Sequence, residues 1–293
     1  MHRIDNATAA ATLPTADSAG TPGYWTKGNP GTGTPATVMD QDWFNAVQEE
    51  FIAVLAAAGV TPTKGDYDQL LTSLNTMYRA GRLLNVQVFT ANGTYTPTAG
   101  MKKAIMRVQG GGGAGGGATG AGAGNISLGA PGLSGSYAEG LFTDADVGAS
   151  KAVTVGAGGT PVSGAGGGNG GSSSVGSLIT APGGTGGGTL TNQVPPAVNG
   201  NGALSPAPSG GNIFSSRGSA QTPSIGINPN GISAAAGGMS VFGPGGNGIS
   251  VNANGVAGPS PGSGGGASGV NSSGGNSTGG AGAGGIVIIM EYS

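Results

Sequence analysis

The sequence predicts an α+β protein in which an extended N-terminal segment and two amphipathic helices precede a glycine-rich, all-β region. Glycine is concentrated late in the chain, since 57 of the 67 glycines lie between Gly110 and Gly285. Charge shows the opposite bias, because 16 of the 22 charged residues precede Gly110. Near Asn85 the spacing of apolar residues changes from a helical period to alternation. We therefore expect two regions, residues 1–84 and 85–293.

The N-terminal region is expected to begin with extended chain. The stretch "TPGYWTKGNPGTGTPAT" mixes proline with glycine, which favours a loop-like path that needs a partner surface to become ordered. Tyr24 and Trp25 are candidate anchors for that surface. The alternative is that the two rings cover the helix that follows.

The first helix is predicted over residues 40–58. Thr37 and Asp40 have the spacing of a capping box, and Gly59 is a natural end. Its apolar residues recur at helical spacing on one face. They are Trp43, Phe44, Val47, Phe51, Val54, Leu55 and Ala58.

The second helix is predicted over residues 66–80. Asp66 and Gln69 can cap its start, and Gly81 ends it. Its apolar stripe is Tyr67, Leu70, Leu71, Leu74, Met77 and Tyr78. Because two helices of this length cannot bury both stripes against each other alone, we expect self-association, centred on the first helix.

Residues 20–80 carry a specific resemblance. "GYWTKGNPGTGTPATVMDQDWFNAVQEE" resembles the N-terminal attachment segment of tail fibre proteins from tailed bacteriophages and related particles. In that family a "KGxxxQLLxxL" helix follows. It is matched here by Lys64, Gly65, Gln69, Leu70, Leu71 and Leu74. The resemblance implies a homotrimer anchored to the baseplate or to a proximal tail protein. The candidate attachment residues are Tyr24, Trp25, Trp43 and Phe44.

From Asn85 onward the pattern predicts strands. Asn92 and Gly93 lie between β-rich flanks, which predicts a hairpin. Further strands are predicted in "KKAIMRVQ", over Lys151 to Val155, and in the closing "GGIVIIMEYS". In the first of these, Ala104, Met106 and Val108 share one face, and Ile105, Arg107 and Gln109 share the other. The apolar final strand is expected to be a buried element that closes the domain.

The glycine runs are expected to be ordered. A flexible linker is the alternative, but it needs no closing strand and is usually charged or serine-rich. Without a Cβ, neighbouring backbones can approach closely enough for dense hydrogen bonding, as in polyglycine II with three residues per turn. A collagen helix is excluded, because "GAPGLSG" and "GPGGNG" break the required glycine register.

Residues 86–293 resemble the glycine-rich β-structured tip domain of phage tail fibres. The motifs that carry this resemblance are "FTANGTYTPTAGMKKAIMRVQGGGGAGGG", "GSYAEGLF", "AVTVGAGG", "GGNGGSSSVGSLITAPGG" and "GGAGAGGIVIIMEY", in this order. The region is also similar to the polyglycine-II sandwich of T-even-like phage adhesins, although here the attachment helices are on the same chain. The resemblance implies recognition of a receptor on the bacterial surface.

Recognition residues are expected where the chain leaves the glycine scaffold, because a scaffold fixes the ends of loops and frees their tips. Three segments stand out: residues 133–150, 189–231 and 234–255. The candidate residues in them are Tyr137, Phe142, Gln193, Asn212, Phe214, Arg217 and Phe242. An aromatic ring, an amide and an arginine, as at Phe214, Asn212 and Arg217, can stack on and hydrogen-bond a sugar or a protein loop. Alternatively, Phe214 is a local core residue and Arg217 a solubilising charge.

Composition argues against several classes of function. The net charge of −2 and the lack of a basic stripe disfavour nucleic-acid binding. No stretch of about 18 apolar residues can span a bilayer, and the N-terminus lacks the apolar core of a secretory signal. Cysteine is absent, which excludes disulfides and thiolate metal sites. The location expected is the virion, after synthesis in the host cytoplasm.

No enzymatic activity, cofactor or metal is expected. His2 is the only histidine, and the pair Asp144 and Asp146 is more typical of a turn or a cap than of acid–base chemistry.

Three functions therefore stand beside one another. The first is a tail fibre that binds a lipopolysaccharide, an outer-membrane protein or a pilus, with a possible fibre-assembly chaperone. The second is a structural fibre or spacer in which the glycine region only sets reach. The third is a silk-like secreted protein, which the attachment motif disfavours.

Overall fold

The computed structural model describes residues 2–79, 81–219 and 222–293. The chain divides into two compact units between Arg82 and Leu83. The expected attachment and tip roles of the two regions stay predictions. Among the described residues, no helix combines the length and the apolar character needed to cross a membrane.

The first unit contains a 3-10 helix, Pro30–Thr32, and two α-helices, α1 (Gln41–Ala57) and α2 (Gln69–Arg79). Asp40 caps α1, because its side chain accepts a hydrogen bond from the backbone N–H of Asp42. The predicted capping role of Thr37 is wrong, since its hydroxyl oxygen instead accepts from the N–H of Thr26 at 2.9 Å.

The helix α2 is shorter than predicted and begins at Gln69. Gln69 is buried, and its side-chain amide bridges the backbone of Thr63, accepting from the N–H at 3.1 Å and donating to the C=O at 2.6 Å. The predicted last residue, Ala80, lies outside the described residues.

Much of the predicted apolar stripe of both helices is exposed. The buried residues are Ile52 and Leu55 on α1, and Gln69 and Ser73 on α2. Tyr67, before α2, and Tyr78, within it, are exposed. The prediction of two amphipathic helices is therefore only partly met: both helices form, but α2 is shorter than predicted and most of each apolar stripe is not buried.

The described residues of the second unit form fifteen strands and one short helix. The helix, α3, is Asp144–Val147. In chain order the strands are β1 Leu83–Phe89, β2 Gly93–Tyr95, β3 Lys103–Gln109, β4 Ile126–Gly129, β5 Tyr137–Thr143, β6 Lys151–Thr154, β7 Ser173–Val175, β8 Ile179–Ala181, β9 Thr189–Gln193, β10 Ala197–Asn199, β11 Phe214–Ser216, β12 Ser224–Asn228, β13 Gly231–Ser233, β14 Gly269–Asn271 and β15 Ile286–Tyr292.

The main core lies between two antiparallel sheets. One has the strand order β1-β15-β3-β5-β11, and the other β2-β6-β7-β8. Buried side chains from both sheets form one cluster, which includes Met106, Val108, Val175, Ile179 and Ile289. The predicted alternation in β3 and in the closing strand β15 is confirmed. β15 lies between β1 and β3, so the last residues of the chain occupy the interior of the larger sheet.

The predicted hairpin at Asn92–Gly93 is wrong. β1 pairs with β15, whereas β2 pairs with β6 in the other sheet. The chain therefore switches sheets between Phe89 and Gly93 instead of reversing within one. The side-chain oxygen of Asn92 accepts a hydrogen bond from the N–H of Val155 at 2.8 Å, which ties the switch to the chain after β6.

Residues 110–118 follow β3 and bond to their neighbours with a period of three. Successive N–H groups donate in turn to the segments 130–136, 165–171 and 277–283, and then return to the first. The nine bonds run from Gly110 to Ser136 (2.9 Å), Gly111 to Gly171 (3.0 Å), Gly112 to Ala283 (2.8 Å), Gly113 to Leu133 (2.9 Å), Ala114 to Gly168 (2.9 Å), Gly115 to Gly280 (2.9 Å), Gly116 to Ala130 (2.8 Å), Gly117 to Ala165 (2.8 Å) and Ala118 to Ser277 (3.2 Å). This is the period of a helix with three residues per turn.

Carbonyl groups of the same segment accept hydrogen bonds from three further stretches of chain. The five bonds run from the N–H of Gly159 to the carbonyl of Gly112, Gly184 to Gly111, Gly187 to Ala114, Gly265 to Gly113 and Ser268 to Gly116. A Cβ atom at Gly112 would overlap the carbonyl oxygen of Ser263. The absence of side chains here is what allows the backbones to lie this close. We call the arrangement around residues 110–118 the glycine layer.

Two small three-stranded sheets complete the unit. Their strand orders are β14-β4-β9 and β10-β12-β13. Ile126 and Leu128 of β4 and Ile232 of β13 form a second, smaller core.

The predicted α+β class is wrong, because the chain is mostly β. In the part of the chain that the structure describes, three α-helices of 17, 11 and 4 residues stand against fifteen strands in four sheets. Nothing within the described residues indicates the predicted trimer.

Candidate recognition site

Three of the predicted recognition residues form an aromatic cluster. Tyr137 begins β5 and Phe214 begins the paired strand β11, and their ring centroids are 6.1 Å apart. Phe242 approaches Tyr137 from a separate loop, with ring centroids 6.2 Å apart in an edge-on arrangement. Tyr137 is buried, whereas Phe214 is 52% exposed. The cluster therefore has one fixed ring and one ring open to solvent.

Charged neighbours hold Tyr137 in place. Its hydroxyl donates to Glu139 Oε2 at 2.7 Å, and Arg107 Nε lies 3.2 Å from Glu139 Oε1. Arg107 and Glu139 are directly opposite each other on β3 and β5. Burial and the bond to the Glu139 carboxylate raise the pKa of Tyr137 above its usual range, so its hydroxyl keeps its proton further into alkaline solution than an ordinary tyrosine does.

A pocket of about 210 Å³ opens beside this cluster. Its lining residues come from four parts of the chain. They are Gln109, Ser134, Gly135, Tyr137, Ser216, Arg217, Gly218, Ser219, Met239, Ser240 and Val241. Arg217 Nε donates to the carbonyl oxygen of Ser205 at 2.7 Å, which positions this exposed side chain at the pocket. We call this pocket the Arg217 pocket.

Gln109 borders the Arg217 pocket from the end of β3. Its amide nitrogen donates to the carbonyl oxygens of Gly135 (2.8 Å), Ser136 (3.2 Å) and Gly110 (3.3 Å), and these acceptors fix the orientation of the amide. Gln109 Oε1 accepts no hydrogen bond from the described residues, although it is buried. Buried acceptors are rarely left unpaired.

The other predicted recognition residues lie elsewhere or have structural contacts. Phe142 is buried in the core between the two larger sheets. Gln193 is on β9, in a different sheet, and its side chain donates to the carbonyl oxygen of Thr191 at 2.7 Å. The side-chain amide of Asn212 accepts from the N–H of Leu141 at 2.7 Å and donates to the carbonyl of Leu141 at 2.9 Å.

Sequence reasoning missed Gln109, Met239 and Val241 as pocket residues. A signal existed for Gln109, because alternation places it on the same face of β3 as Arg107, at the boundary with the glycine runs. Met239 and Val241 are exposed apolar residues beside Phe242, inside a segment singled out as a loop. Ala220 and Gln221, in the second of the predicted loop segments, lie outside the described residues.

The first unit brings three of the four predicted attachment residues together. Trp25 and Trp43 have ring centroids 5.6 Å apart, and Trp43 and Phe44 have centroids 5.4 Å apart, both edge-on. All three side chains are exposed, and Tyr24 beside them is 98% exposed. We call Trp25, Trp43 and Phe44 the aromatic patch.

The carboxylates of Asp144 and Asp146, which the sequence assigned to a turn or a cap, have structural partners. Asp146 and Thr143 form a capping box at the start of α3, and these hydrogen bonds lower the pKa of Asp146. Asp144 lies 3.7 Å from Lys102 Nζ in an ion pair. Among residues 2–79, 81–219 and 222–293, no group of three or more His, Cys, Asp or Glu side chains is placed to hold a metal ion. The expected lack of enzymatic activity stays a prediction.

With its β sheets and glycine layer, the second unit is the part of the chain that a known family describes. The sequence profile of the glycine-rich domain family matches residues 89–292, and the chain belongs to this family.

A second comparison concerns a named relative. The chain is 48% identical over 77 residues to the uncharacterized protein StfP of Escherichia coli (strain K12). That match covers 26% of this chain and 35% of StfP, so the chain spans about a third of the relative's length.

Proposed function

We propose that this protein is a phage tail fibre whose second unit binds a receptor on the bacterial surface. The observation that carries the proposal is the convergence of Tyr137, Phe214, Arg217 and Phe242 at one place. Aromatic and arginine side chains dominate the energetics of protein recognition surfaces. In this chain they meet beside a pocket that is bordered by Gln109, at the end of β3 in the larger sheet.

The glycine layer supports this role because it provides a scaffold for recognition loops. Its backbone hydrogen bonds connect segments far apart in sequence, such as residues 110–118 and 277–283. We propose that the layer is a polyglycine-II arrangement, since its bonding repeats every three residues and its backbones approach closely at glycine. Loops that leave such a layer have fixed ends and free tips.

For the first unit we propose attachment to the phage tail, at the baseplate or a proximal tail protein. Support comes from the attachment motif in residues 20–80 and from the exposed aromatic patch. Tryptophan and phenylalanine are enriched where one protein binds another, and exposed apolar clusters mark such surfaces. Location in the virion and a possible assembly chaperone belong to the same proposal.

The proposal is tested by incubating the purified full chain with a panel of intact bacterial strains. The expected result is saturable binding to some strains and not to others, with lipopolysaccharide-deficient, porin-deficient and pilus-deficient derivatives identifying the receptor class. A folded chain that binds no strain, or all strains equally, would contradict receptor recognition. It would favour the alternative of a structural spacer.

A further inference from the structure

The Arg217 pocket has features that specify the chemistry of a ligand. This step rests on the proposed function, because it concerns what the recognition site binds. We propose that the pocket binds one anionic sugar unit, with a carboxylate or a phosphate of that sugar held by the guanidinium group of Arg217.

The charge of Arg217 has no acidic partner in the described residues. Among the described residues of the second unit, the ion pairs between side chains are Lys102 with Asp144 and Arg107 with Glu139. Arg217 makes a single side-chain hydrogen bond there, from Nε to the carbonyl of Ser205, so its two terminal nitrogens keep their donors. A planar guanidinium group binds carboxylate or phosphate through two parallel hydrogen bonds.

The hydrogen bond to Ser205 restricts the Arg217 side chain before any ligand binds. An exposed arginine usually loses rotamer freedom when it binds an anion, which reduces the affinity. Here Arg217 Nε already lies 2.7 Å from the carbonyl oxygen of Ser205, so part of the rotamer freedom is lost in the free protein and not on binding. Arg217 lines the pocket together with its neighbours Ser216 and Gly218.

The remaining lining favours a ligand rich in hydroxyl groups. Ser216, Ser219 and Ser240 contribute hydroxyl groups that can both donate and accept. Gln109 also borders the pocket but is fully buried, so the polar contacts to a ligand are left to the three serines.

The apolar lining and the volume of the pocket further restrict the ligands that fit. Tyr137 lines the pocket, and exposed Met239 and Val241 supply apolar surface for the C–H face of a sugar ring. The pocket volume of about 210 Å³ is smaller than the roughly 300–1,000 Å³ of sites for drug-sized ligands. One sugar unit, and not a long oligosaccharide, fits this size.

The test measures binding of matched sugars to the full chain by ligand-observed NMR and calorimetry. Galacturonate is paired with neutral galactose, and glucose 6-phosphate with neutral glucose. The variants are Arg217→Gln and Arg217→Lys, and the control is Lys103→Gln, which removes a cation from the opposite end of β3. Circular dichroism and thermal unfolding establish that each variant is folded.

We expect at least one anionic sugar to bind about tenfold or more tightly than its neutral partner. Arg217→Gln should abolish this preference, Arg217→Lys should retain only part of it, and Lys103→Gln should leave it unchanged. Preference for the uronate or for the phosphate identifies which anion the pocket takes. Equal binding of charged and neutral sugars, an unchanged preference in Arg217→Gln, or no sugar binding at all would overturn the proposal.

Parallel binding to intact bacteria separates this proposal from the one it rests on. If the wild-type chain binds bacteria but no sugar, and Arg217→Gln binds them equally well, the anionic-sugar proposal fails and receptor recognition stands. The receptor contact is then of another kind, such as a protein loop. If the chain binds anionic sugars but no strain in the panel, the proposed function fails and the sugar site stands.

Discussion

The hydroxyl group of Tyr95 donates a hydrogen bond of 2.8 Å to Glu291 Oε1, across 196 residues of sequence. Thr98 completes the site, donating to the same carboxylate from its N–H at 3.0 Å and from its hydroxyl at 2.5 Å. Both Tyr95 and Glu291 are fully buried. A buried carboxylate is tolerated when donors satisfy it, so this contact joins the smaller sheet to the closing strand β15.

Removing the Tyr95 hydroxyl should destabilise the second unit. Tyr95→Phe leaves Glu291 with only the Thr98 donors, and a hydrogen bond to a charged group contributes about 1.5–3 kcal/mol. We expect a loss of that size in the free energy of unfolding, measured by urea denaturation. Tyr292→Phe is the matched control, because the hydroxyl of this half-buried neighbour forms no hydrogen bond with the described residues. Its effect should be under about 0.5 kcal/mol. Equal effects of the two substitutions would contradict the role of the Tyr95 contact.

Stability should fall in alkaline solution, and Tyr95 should contribute to the fall. Burial, followed by the hydrogen bond to Glu291, raises the pKa of Tyr95 in the folded state. Above about pH 10 the unfolded chain releases its tyrosine protons while folded Tyr95 keeps its own, so the unfolded state binds fewer protons and stability falls with rising pH.

Urea denaturation from about pH 8.5 to 11.5 measures this effect. Relative to wild type, Tyr95→Phe should lose stability less steeply above pH 10, by about 1.4 kcal/mol per pH unit at most. Identical slopes for the two proteins would show that Tyr95 does not contribute. Tyr137→Phe should reduce the slope in the same direction, because the pKa of Tyr137 is also raised.

Adding a single methyl group inside the glycine layer should lower the stability of the second unit. In Gly112→Ala the new Cβ would overlap the carbonyl oxygen of Ser263, and relief requires backbone movement. We expect a loss of about 1–3 kcal/mol or more in the free energy of unfolding. Gly188→Ala is the control, because no described heavy atom lies within 4 Å of that Cβ position beyond its own neighbours. If Gly112→Ala is as stable as Gly188→Ala, the close backbone packing is not present in solution.

The aromatic patch of the first unit should bind a tail protein. Trp43 touches both Trp25 and Phe44, so Trp43→Ala removes the centre of the patch. We expect the affinity of the variant for purified fibreless particles to fall roughly thirtyfold, which corresponds to at least about 2 kcal/mol. Tyr67→Ala is the control, because it removes an exposed aromatic residue whose ring contacts no other ring among the described residues. It should leave the affinity for the particles unchanged. Normal attachment of Trp43→Ala would exclude the patch as the anchor.

Local patterns predicted a few of the strands, among them β3, β6 and β15, but not the partners of β1 and β2. The alternation of Ala104, Met106 and Val108 predicts the buried face of β3. A similar alternation predicts the closing strand β15. The hairpin at Asn92–Gly93 was wrong because the turn signal is local, whereas β1 gains a long, apolar partner in β15 and β2 pairs in a different sheet. Competition from distant segments of the chain overrides a turn preference.

The glycine layer marks the limit of sequence reasoning. Composition predicts that backbones pack closely, and the three-residue period follows from extended chain without side chains. Which segments become neighbours cannot be predicted in this way, because a run such as Gly110–Gly113 has no side-chain pattern to set its register. The α+β class failed for a related reason: two short helices gave the strongest local signal but account for little of the chain.

The candidate site was partly predictable. Phe214 and Arg217 are close in sequence, but only the pairing of β5 with β11 brings Tyr137 to Phe214. Phe142 was included from its segment alone. Tyr137 and Phe142 are five residues apart on one strand, and alternation places them on opposite faces, so Phe142 lies in the core.

The most direct test of the account is the apparent Kd of the full chain for one strain that it binds, compared with the Phe214→Ala variant. Phe214 is half-exposed beside Tyr137, so its removal should spare the fold, which thermal unfolding checks. We predict binding weaker by about tenfold or more, as expected for an aromatic residue at the centre of a recognition surface. An unchanged Kd for a folded Phe214→Ala chain would contradict the assignment of this site to receptor binding.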